Sequence, residues 1–366
     1  MTPQQPLVLI MAGGTGGHVY PALAVALELV TRGYRVEWVG TERGLEHRVV
    51  PAAGITLHCL PVRGVRGKTP LHKLLGVFFL LLASLQALWL VFRQAPRCVV
   101  GMGGYVAGPA GVAAWLLRKP LLIHEQNAVA GTTNRLLAPL ADKVACGFAG
   151  AFAKKIRTTV LGNPVRAELV KAGAAGHYDY RGQRPMRLLV LGGSLGAQPI
   201  NDIMPPLLHG LRDHGQAELE ILHQAGDAHA ETVAHNYGEL LGDQVRVAPF
   251  IEDMAQAYAW ADLVLCRAGA LTVSELAIMG RPAILVPLPH AIDDHQSANA
   301  RFLAECGAAV LLPQSDMSVA RLSAQVQGLL DHPGHLAAMA RAALTAARPD
   351  AASAVSDCCE ELMHVQ

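Results

Sequence analysis

Glycine-rich stretches with polar neighbours are the first features of this sequence that suggest chemistry. One, AGGTGGHV, begins at Ala12 and carries His18, while GMGGY and GGSLG begin at Gly101 and Gly192. Each follows a short apolar run, so each predicts a turn at the end of a strand. There a glycine backbone approaches a ligand closely, and the next helix N-terminus faces an anion. Three such turns indicate binding of more than one phosphorylated group.

His18 is the first candidate for acid–base chemistry. The glycines before it are not in the dinucleotide register G-x-G-x-x-G, and no Gly-Lys-Ser/Thr of a P-loop follows them. At the start of a helix the dipole disfavours the cationic imidazole, which leaves a neutral ring able to accept a proton. The alternative interpretation is a histidine that caps or packs the helix.

Two further polar segments follow apolar runs. His124-Glu125-Gln126-Asn127 stands at a strand end, the edge where open α/β sheets bind ligands, with a plain turn as the alternative. In the segment 267–275, the hydroxyls of Thr272 and Ser274 suit a diphosphate, and Glu275 suits a ribose diol. A capping box formed by Thr272 and Glu275 is the alternative interpretation there.

Metal sites and disulfides are not indicated. The seven cysteines occur singly except for Cys358-Cys359, without a CxxC pair, which is typical of reduced cytoplasmic cysteines. Asp293 and Asp294 are adjacent and point apart on most backbones, so the segment through Gln296 favours contacts with hydroxyl groups. We therefore predict neither a metal nor a cofactor.

Alternating strand and helix patterns must position these residues. Runs such as Leu7–Met11 and Leu188–Leu191 are apolar without alternation, which predicts parallel sheets covered on both faces. The pattern occurs twice along 366 residues, so the fold class is α/β with two doubly wound domains. We place a linker at residues 171–185 and a single helix in the terminal segment 349–366.

The two halves of the chain have opposite net charges. Residues 1–165 carry 17 Lys and Arg against 6 Asp and Glu, whereas residues 166–366 carry 13 against 23. The basic half is therefore expected to meet an anionic surface or ligand. Nucleic acid is not expected, because stacking aromatic residues are not interleaved with the basic ones.

The segment Leu74–Phe92 is nineteen residues long and carries no charge. Its length suits a membrane-spanning helix, yet strand and helix patterns continue on both sides of it. We favour a helix with one face in the core and one exposed apolar face, with a fully buried helix as the alternative. Arg63, Arg66, Lys68 and Lys73 would form a basic rim, a combination typical of proteins that lie in a membrane interface.

Six blocks of the sequence resemble, in order and over nearly the whole chain, the MurG-type glycosyltransferases of bacterial cell-wall synthesis. They are MAGGTGGHVYPALAVA, GMGGYVAGPAG, IHEQNAVAGTTNRLLA, LGNPVR, LGGSLGAQPIN and CRAGALTVSELAIMGRPAILVPLPHAIDDHQSANA. The resemblance implies the GT-B fold, two Rossmann-like domains facing a cleft. Residues 1–165 would hold the acceptor and dock on the membrane, with segment 349–366 packing back on them. Residues 185–345 would bind UDP-N-acetylglucosamine.

The resemblance also implies an activity. Family members are inverting hexosyltransferases that move N-acetylglucosamine from UDP-N-acetylglucosamine to the C4 hydroxyl of undecaprenyl-diphospho-N-acetylmuramoyl-pentapeptide (lipid I), giving lipid II for peptidoglycan. The implied location is peripheral, on the cytoplasmic face of the inner membrane. The implied partners are both substrates, the anionic inner leaflet and other cell-wall synthesis proteins. Two alternatives are a UDP-N-acetylglucosamine 2-epimerase-like isomerase and a catalytically inactive binding protein.

Residue roles carry over by matching motifs. His18 is the first choice for the general base and Glu125 the second, with orientation of the acceptor or of His18 as the other role for Glu125. The implied donor contacts are Thr15, Gly16, Gly17, Asn127, Arg166, Ser194, Ile251, Ala270, Leu271, Thr272, Val273, Ser274, Glu275 and Gln296. The implied acceptor contacts are Gly14, Gly103, Gly104, Tyr105 and Asn134.

Overall fold

The computed structural model describes residues 5–62, 70–193, 195–213, 219–242, 244–289 and 294–364. Its contacts divide the chain into two compact units. The first comprises Met1–Arg166 together with Pro349–Gln366, and the second comprises Ala167–Arg348.

The first unit is built on a seven-stranded parallel sheet. Its strands are β1 (Leu7–Met11), β2 (Arg35–Gly40), β3 (Thr56–Cys59), β4 (Cys98–Gly101), β5 (Leu121–Glu125), β6 (Lys143–Cys146) and β7 (Thr159–Val160). They lie in the order β3-β2-β1-β4-β5-β6-β7. The central strands are buried on both faces, which explains why their sequences are continuously apolar instead of alternating.

Helices cover both faces of this sheet. They are α1 (Gly16–Thr31), α2 (Glu46–Ala52), α3 (Pro70–Gln94), α4 (Ala107–Leu116), α5 (Thr132–Leu137) and, numbered last along the chain, α14 (Ala351–His364). Side chains of α1, α2 and α14 form one core with alternate residues of β1. Side chains of α3, α4 and α5 form a second core with the remaining residues of that strand.

The terminal helix α14 packs on the first unit although the second unit precedes it in the chain. It contacts α1, where Arg32 pairs with Asp357 at 2.6 Å, and Lys143 at the start of β6 pairs with Glu361. The guanidinium of Arg97 donates to the carbonyl oxygen of Met363 at 3.0 Å. Charged contacts along the helix therefore add to the buried apolar face of α14.

The second unit has a six-stranded parallel sheet in the order β10-β9-β8-β11-β12-β13. The strands are β8 (Met186–Leu191), β9 (Leu219–Gln224), β10 (Val245–Ala248), β11 (Leu263–Cys266), β12 (Ala283–Leu285) and β13 (Ala309–Leu311). The helices are α6 (Ala167–Ala175), α7 (Gln198–Asp213), α8 (Ala230–Tyr237), α9 (Met254–Trp260), α10 (Ala270–Met279), α11 (His295–Glu305), α12 (Val319–Leu330) and α13 (Pro333–Ala346). Both units are thus Rossmann-like and doubly wound.

The linker predicted at residues 171–185 is wrong. Lys171 lies within α6, and Tyr180 is only 3% exposed because it packs in the core of the second unit. The hydroxyl of Tyr178 donates to the carbonyl oxygen of Asp262 at 3.1 Å. Glycines and charged residues made the segment look like a linker, but its two tyrosines fasten it to the sheet.

Helix α3 has one buried and one exposed apolar face, as predicted for Leu74–Phe92. Ala83, Ala87 and Val91 are fully buried, whereas Phe78 and Phe92 are 61% and 72% exposed. Among the described residues, no helix is both long and apolar enough to cross a membrane. Of the predicted basic rim, Arg63, Arg66 and Lys68 lie outside the described residues, as does the side chain of Lys73.

Candidate functional site

The first unit gathers its glycine turns at one point of the sheet edge. Strand β4 lies between β1 and β5, so the polar segments that follow these three strands are neighbours. The strand order reverses between β1 and β4, which is where open α/β sheets bind ligands. A Cβ atom on Gly104 would lie 2.4 Å from the carbonyl oxygen of Gly13, so glycine is required for the two turns to touch.

His18 lies in the first turn of α1, which begins at Gly16. The ring packs against Gly103, where a Cβ atom would lie 2.9 Å from Nδ1 of His18. Gly103 has a positive φ of 98°, so a side chain there is excluded by both conformation and space. The side chain of His18 stays partly exposed, as a residue that meets a substrate must.

A chain of hydrogen bonds leads from His18 into the protein. Its Nδ1 lies 2.9 Å from Oε1 of Gln126, and Nε2 of Gln126 lies 3.1 Å from Nδ1 of His124. Nε2 of His124 lies 2.9 Å from the carbonyl oxygen of Gly162. Burial lowers the pKa of His124 below its usual value, because a charged imidazole loses its hydration there. His124 is therefore neutral near pH 7.

Glu125 is the last residue of β5 and is 1% exposed, so the strand includes the first two residues of the polar segment His124-Glu125-Gln126-Asn127. One carboxylate oxygen accepts from the backbone N–H of Asn127 at 2.9 Å and from its side-chain amide at 3.2 Å. The other accepts from the N–H of Gly131 at 3.0 Å and from the amide of Asn134 at 2.9 Å. A carboxylate with four protein donors is held in place, which favours an orienting role for Glu125 over proton transfer.

Glu46 is a buried carboxylate that sequence reasoning missed. One of its oxygens accepts from the N–H of Gly14 at 3.0 Å, and the other accepts from the N–H and hydroxyl of Thr41 at 2.9 and 2.7 Å. It is fully buried, and a Cβ atom on Gly13 or Gly44 would collide with it. Glu46 therefore fastens the first glycine turn to the end of β2.

The other predicted residues of the first unit differ in exposure. Thr15 and Tyr105 are exposed at the turns, and Asn127 is partly exposed. Asn134 is 1% exposed and donates to Glu125, so it supports that carboxylate from beneath the surface. The guanidinium of Arg166 lies over the ring of Tyr20, 5.5 Å from its centre.

The second unit repeats the arrangement at β8 and β11, which are neighbours at its own reversal of strand order. Gly196 has a φ of 77°, and a Cβ atom there would lie 2.0 Å from the carbonyl oxygen of Ala225. Ser194, in the middle of this turn, lies outside the described residues. After β11, helix α10 begins at Ala270 with Gly269 as its N-cap residue. Its first turn directs backbone N–H groups outward, as an anion site requires.

Helix α10 carries the segment 270–275 that was predicted to bind the donor. Leu271, Thr272 and Ser274 are partly exposed, whereas Val273 is buried. The capping box considered for Thr272 and Glu275 is wrong, because both residues lie inside a helix whose cap residue is Gly269. Thr272 is therefore available in the first turn of α10.

Glu275 is held by a residue from the neighbouring helix. Its Oε2 accepts from the hydroxyl of Tyr258 at 3.0 Å, and the two residues are 6% and 1% exposed. Tyr258 belongs to α9, and no sequence signal connects it with Glu275. The contact restrains the carboxylate of Glu275.

Ile251 and Gln296 both make hydrogen bonds inside the second unit. The backbone N–H of Ile251 donates to Oε1 of Gln224 at 3.0 Å, and Nε2 of Gln224 donates to the carbonyl oxygen of Gly193 at 3.0 Å. Oε1 of Gln296 accepts from the N–H of Leu288 at 2.9 Å. Within the described ranges, no group of three or more His, Cys, Asp or Glu side chains is placed to hold a metal ion.

Comparison with known proteins places this geometry in a family. Residues 8–146 match the glycosyltransferase family 28 N-terminal domain, and residues 187–355 match the family 28 C-terminal domain. A protein of Stutzerimonas stutzeri named UDP-N-acetylglucosamine--N-acetylmuramyl-(pentapeptide) pyrophosphoryl-undecaprenol N-acetylglucosamine transferase is 53% identical, covering 98% of this chain and 99% of its own. A Pseudomonas putida protein of the same name is 53% identical over 98% of both chains. The crystal structure of Acinetobacter baumannii MurG is 40% identical with a TM-score of 0.81, covering 97% of this chain and 99% of its own.

The chain belongs to the MurG family of glycosyltransferases. The two Rossmann-like units are those of the GT-B fold, as the sequence predicted. The alternative of an epimerase-like isomerase is not favoured, because the relatives at 53% identity are named as transferases.

The first unit of this MurG-family chain also carries an apolar patch on its surface. We use this term for Phe78, Leu81, Leu85, Trp89 and Phe92 of α3 with Val112, Trp115 and Leu116 of α4, all of which are exposed. The two helices pack against each other in the first unit. The guanidinium of Arg93 lies 5.0 Å from the centre of the Trp89 ring. Clustered exposed apolar side chains are typical of interaction surfaces.

Proposed function

We propose that this chain is an inverting hexosyltransferase that transfers N-acetylglucosamine from UDP-N-acetylglucosamine to the C4 hydroxyl of lipid I, giving lipid II and UDP. The observation that carries the proposal is 53% identity over 98% of the chain to transferases whose name states this reaction. Each unit supports half of it. The first unit holds a partly exposed histidine beside two glycine turns, and the second holds a helix N-terminus with a fixed carboxylate nearby.

His18 is the general base in this proposal. The C4 oxygen of the acceptor bonds to the anomeric carbon of the sugar while its proton passes to the ring of His18. At the same time the bond from that carbon to the diphosphate oxygen breaks, and its electron pair leaves with UDP. Attack from the face opposite the leaving group inverts the anomeric centre from α to β.

The departing UDP is stabilised by the second unit. The first turn of α10 supplies backbone N–H groups and the hydroxyl of Thr272, which meet the negative charge that develops on the diphosphate. Ser194 is proposed to add a hydroxyl from the preceding turn. The carboxylate of Glu275, held by Tyr258, accepts from the ribose hydroxyls.

The first unit is proposed to dock on the anionic inner leaflet, at the cytoplasmic face of the membrane. The apolar patch enters the interface, while the excess of basic residues in 1–165 is attracted to the lipid headgroups. This location brings the enzyme to an acceptor that is anchored in the membrane by its lipid.

One assay separates the proposal from its alternatives. The chain is incubated with labelled UDP-N-acetylglucosamine, with and without a lipid I analogue, and the products are separated. A labelled disaccharide-lipid that forms only with the acceptor supports the transferase. Conversion of the donor sugar without acceptor would indicate an isomerase, and binding without conversion would indicate an inactive binding protein.

A further inference from the structure

The geometry points to Gln126 and His124 as positioning residues that hold His18 in the tautomer protonated at Nδ1, so that Nε2 is the atom that accepts the proton. This inference rests on the proposed role of His18 as base. Neither Gln126 nor His124 is placed to touch the substrates, since both are fully buried.

The carbonyl oxygen of Gly162 only accepts hydrogen bonds. Nε2 of His124, 2.9 Å away, must therefore carry a proton and donate it. Since His124 is neutral, its Nδ1 has a free electron pair and accepts. The group of Gln126 that faces Nδ1 of His124 at 3.1 Å must then be the NH₂ group.

The orientation of the Gln126 amide is fixed a second time by the backbone. Its Nε2 also lies 3.2 Å from the carbonyl oxygen of His124, which again only accepts. Both contacts require the nitrogen on this side, so the oxygen of the amide faces His18. Because two separate acceptors lie next to Nε2 of Gln126, exchanging the nitrogen and oxygen of the amide would leave both acceptors without a donor.

The orientation of the Gln126 amide determines which nitrogen of His18 carries the proton. Oε1 of Gln126 only accepts, so Nδ1 of His18, 2.9 Å away, carries the proton. In the neutral ring Nε2 then has the electron pair. Within the part of the chain that the structure describes, Nε2 of His18 makes no hydrogen bond, so it is the ring nitrogen left for the acceptor hydroxyl.

A neutral amide in this position has a chemical consequence. When His18 takes up the proton, Gln126 still accepts from Nδ1 but provides no negative charge. The imidazolium is therefore oriented without the additional stabilisation that a carboxylate supplies. Titratable or charged groups near this turn include Tyr20, Glu46, Tyr105, His124, Glu125 and Arg166.

The first experiment measures the tautomer directly. Imidazole nitrogen NMR is recorded on the full chain labelled at histidine, and the signals of His18 are assigned by their loss in His18→Ala. We expect a protonated, pyrrole-type signal for Nδ1 and a pyridine-type signal for Nε2. The reverse assignment in the unaltered chain overturns the inference, and this outcome does not depend on whether His18 is the base.

The second experiment uses Gln126→Leu, which removes both amide interactions. Turnover is expected to fall at least about tenfold, and by no more than the roughly 10²–10⁴-fold that base catalysis supplies. In the His18→Ala background the same change should have almost no further effect on turnover, because Gln126 acts through His18. An equal loss in both backgrounds overturns the inference. Nearly normal turnover in the single variant His18→Ala would instead contradict the proposed role of His18 as general base.

A third variant, Gln126→Met, keeps the length of the side chain, removes both amide interactions and covers the case in which Gln126→Leu does not fold. Without an acceptor at Nδ1 of His18, the proton should be shared between the two ring nitrogens, so the pyrrole-type signal of Nδ1 should weaken. A purely structural glutamine predicts the same tautomer as in the unaltered chain. An unchanged tautomer in a folded Gln126→Met variant therefore also overturns the inference.

Discussion

The carboxylate of Glu46 accepts a hydrogen bond from the backbone N–H of Gly14, 3.0 Å away and 32 residues earlier in the chain. The same side chain accepts two hydrogen bonds from Thr41, so a single buried carboxylate joins the glycine turn after β1 to the end of β2. Glycine turns bind ligands only if their backbone is held in one conformation. In this protein part of that restraint comes from outside the turn.

Replacement of Glu46 by glutamine is expected to loosen the turn. Glutamine retains one acceptor oxygen and turns an NH₂ group toward a donor, so a buried donor loses its partner. The free energy of unfolding should fall by about 1–3 kcal/mol, and turnover should fall with it. Glu42→Gln makes the same charge change at an exposed position and should alter neither. Thermal melting and turnover of both variants check the prediction, and equal behaviour of the two would contradict it.

A second prediction concerns UDP affinity. Removing the carboxylate in Glu275→Ala should weaken UDP binding by about 1–3 kcal/mol, the range for hydrogen bonds to charged groups. Tyr258→Phe removes one restraint on the carboxylate but leaves it present, so its effect should be smaller. Glu305→Ala, which removes an exposed carboxylate of the second unit, is the matched control. Calorimetric titration with UDP measures all three, and unchanged affinity in Glu275→Ala would remove Glu275 from the ribose site.

The strands and the glycine turns could be predicted because each signal is local. Leu7–Met11 is a continuous apolar run that ends in glycine, and the structure has a strand at those residues. The strand β6 (Lys143–Cys146) was not predicted, because it is four residues long and begins with a lysine. Short strands of this kind form only because a neighbouring strand supplies their hydrogen bonds.

The contacts that hold the candidate site could not be predicted, because they join distant parts of the chain. His18 and Gln126 are 108 residues apart in the chain. They meet because His18 follows β1 and Gln126 follows β5, and both of these strands are neighbours of β4 in the sheet. The sequence near Gln126 does not indicate which strands lie next to β5 in the sheet. The residues that face the ligand were found from the motifs, whereas Glu46, Tyr258 and the role of Gln126 required the packed structure.

Membrane binding is expected to depend on the apolar patch. Each large apolar side chain is worth about 1.5–3 kcal/mol when fully buried, so replacing Phe78, Leu81 and Trp89 by serine should weaken binding to anionic phospholipid vesicles at least about a hundredfold. The melting temperature should change little, since all three side chains are largely exposed. High salt should also weaken binding, because it screens the basic residues.

The matched control replaces Leu27 and Val30, which are 45% and 46% exposed on α1. This helix covers the face of the sheet opposite α3, so serine at both positions should leave sedimentation with vesicles unchanged. Equal losses in the two variants would show that general surface hydrophobicity, and not the apolar patch, determines binding. Protein that resists extraction by both salt and carbonate would contradict peripheral docking.

His18 and Glu125 should respond differently to substitution. His18→Ala is expected to lower turnover by about 10²–10⁴-fold with little change in UDP-N-acetylglucosamine affinity or melting temperature. In Glu125→Gln an NH₂ group replaces one of two oxygens that accept four hydrogen bonds, so the free energy of unfolding should fall by about 1–3 kcal/mol. Turnover, donor affinity and melting temperature of both variants are the measurement. A stable Glu125→Gln with the larger loss of turnover would make Glu125 the base.

The last prediction concerns the stability of the second unit at low pH. Nδ1 of His223 lies 2.9 Å from the hydroxyl of Tyr237, and Nε2 lies 3.1 Å from Oδ1 of Asn201. Burial lowers the pKa of His223 to about 4, from an ordinary value of about 6.5. Between these two pH values the unfolded chain binds a proton that the folded chain does not, so stability rises with pH across this window. Conversely, stability is lost as the pH falls from about 6.5 toward 4, by up to roughly 3 kcal/mol.

His223→Gln removes this titration and should flatten the pH dependence, whatever its effect on stability at neutral pH. The urea concentration at which buried Met204 becomes oxidised by peroxide reports unfolding of the second unit alone, since Met204 lies in the core of that unit. In the unaltered chain this midpoint should drop between about pH 7 and pH 4.5, and in His223→Gln it should drop less, because one proton fewer is taken up on unfolding. His235→Gln, which removes an exposed histidine of α8, should keep the full drop. The same pH dependence in all three chains would mean that groups other than His223 destabilise the second unit in acid.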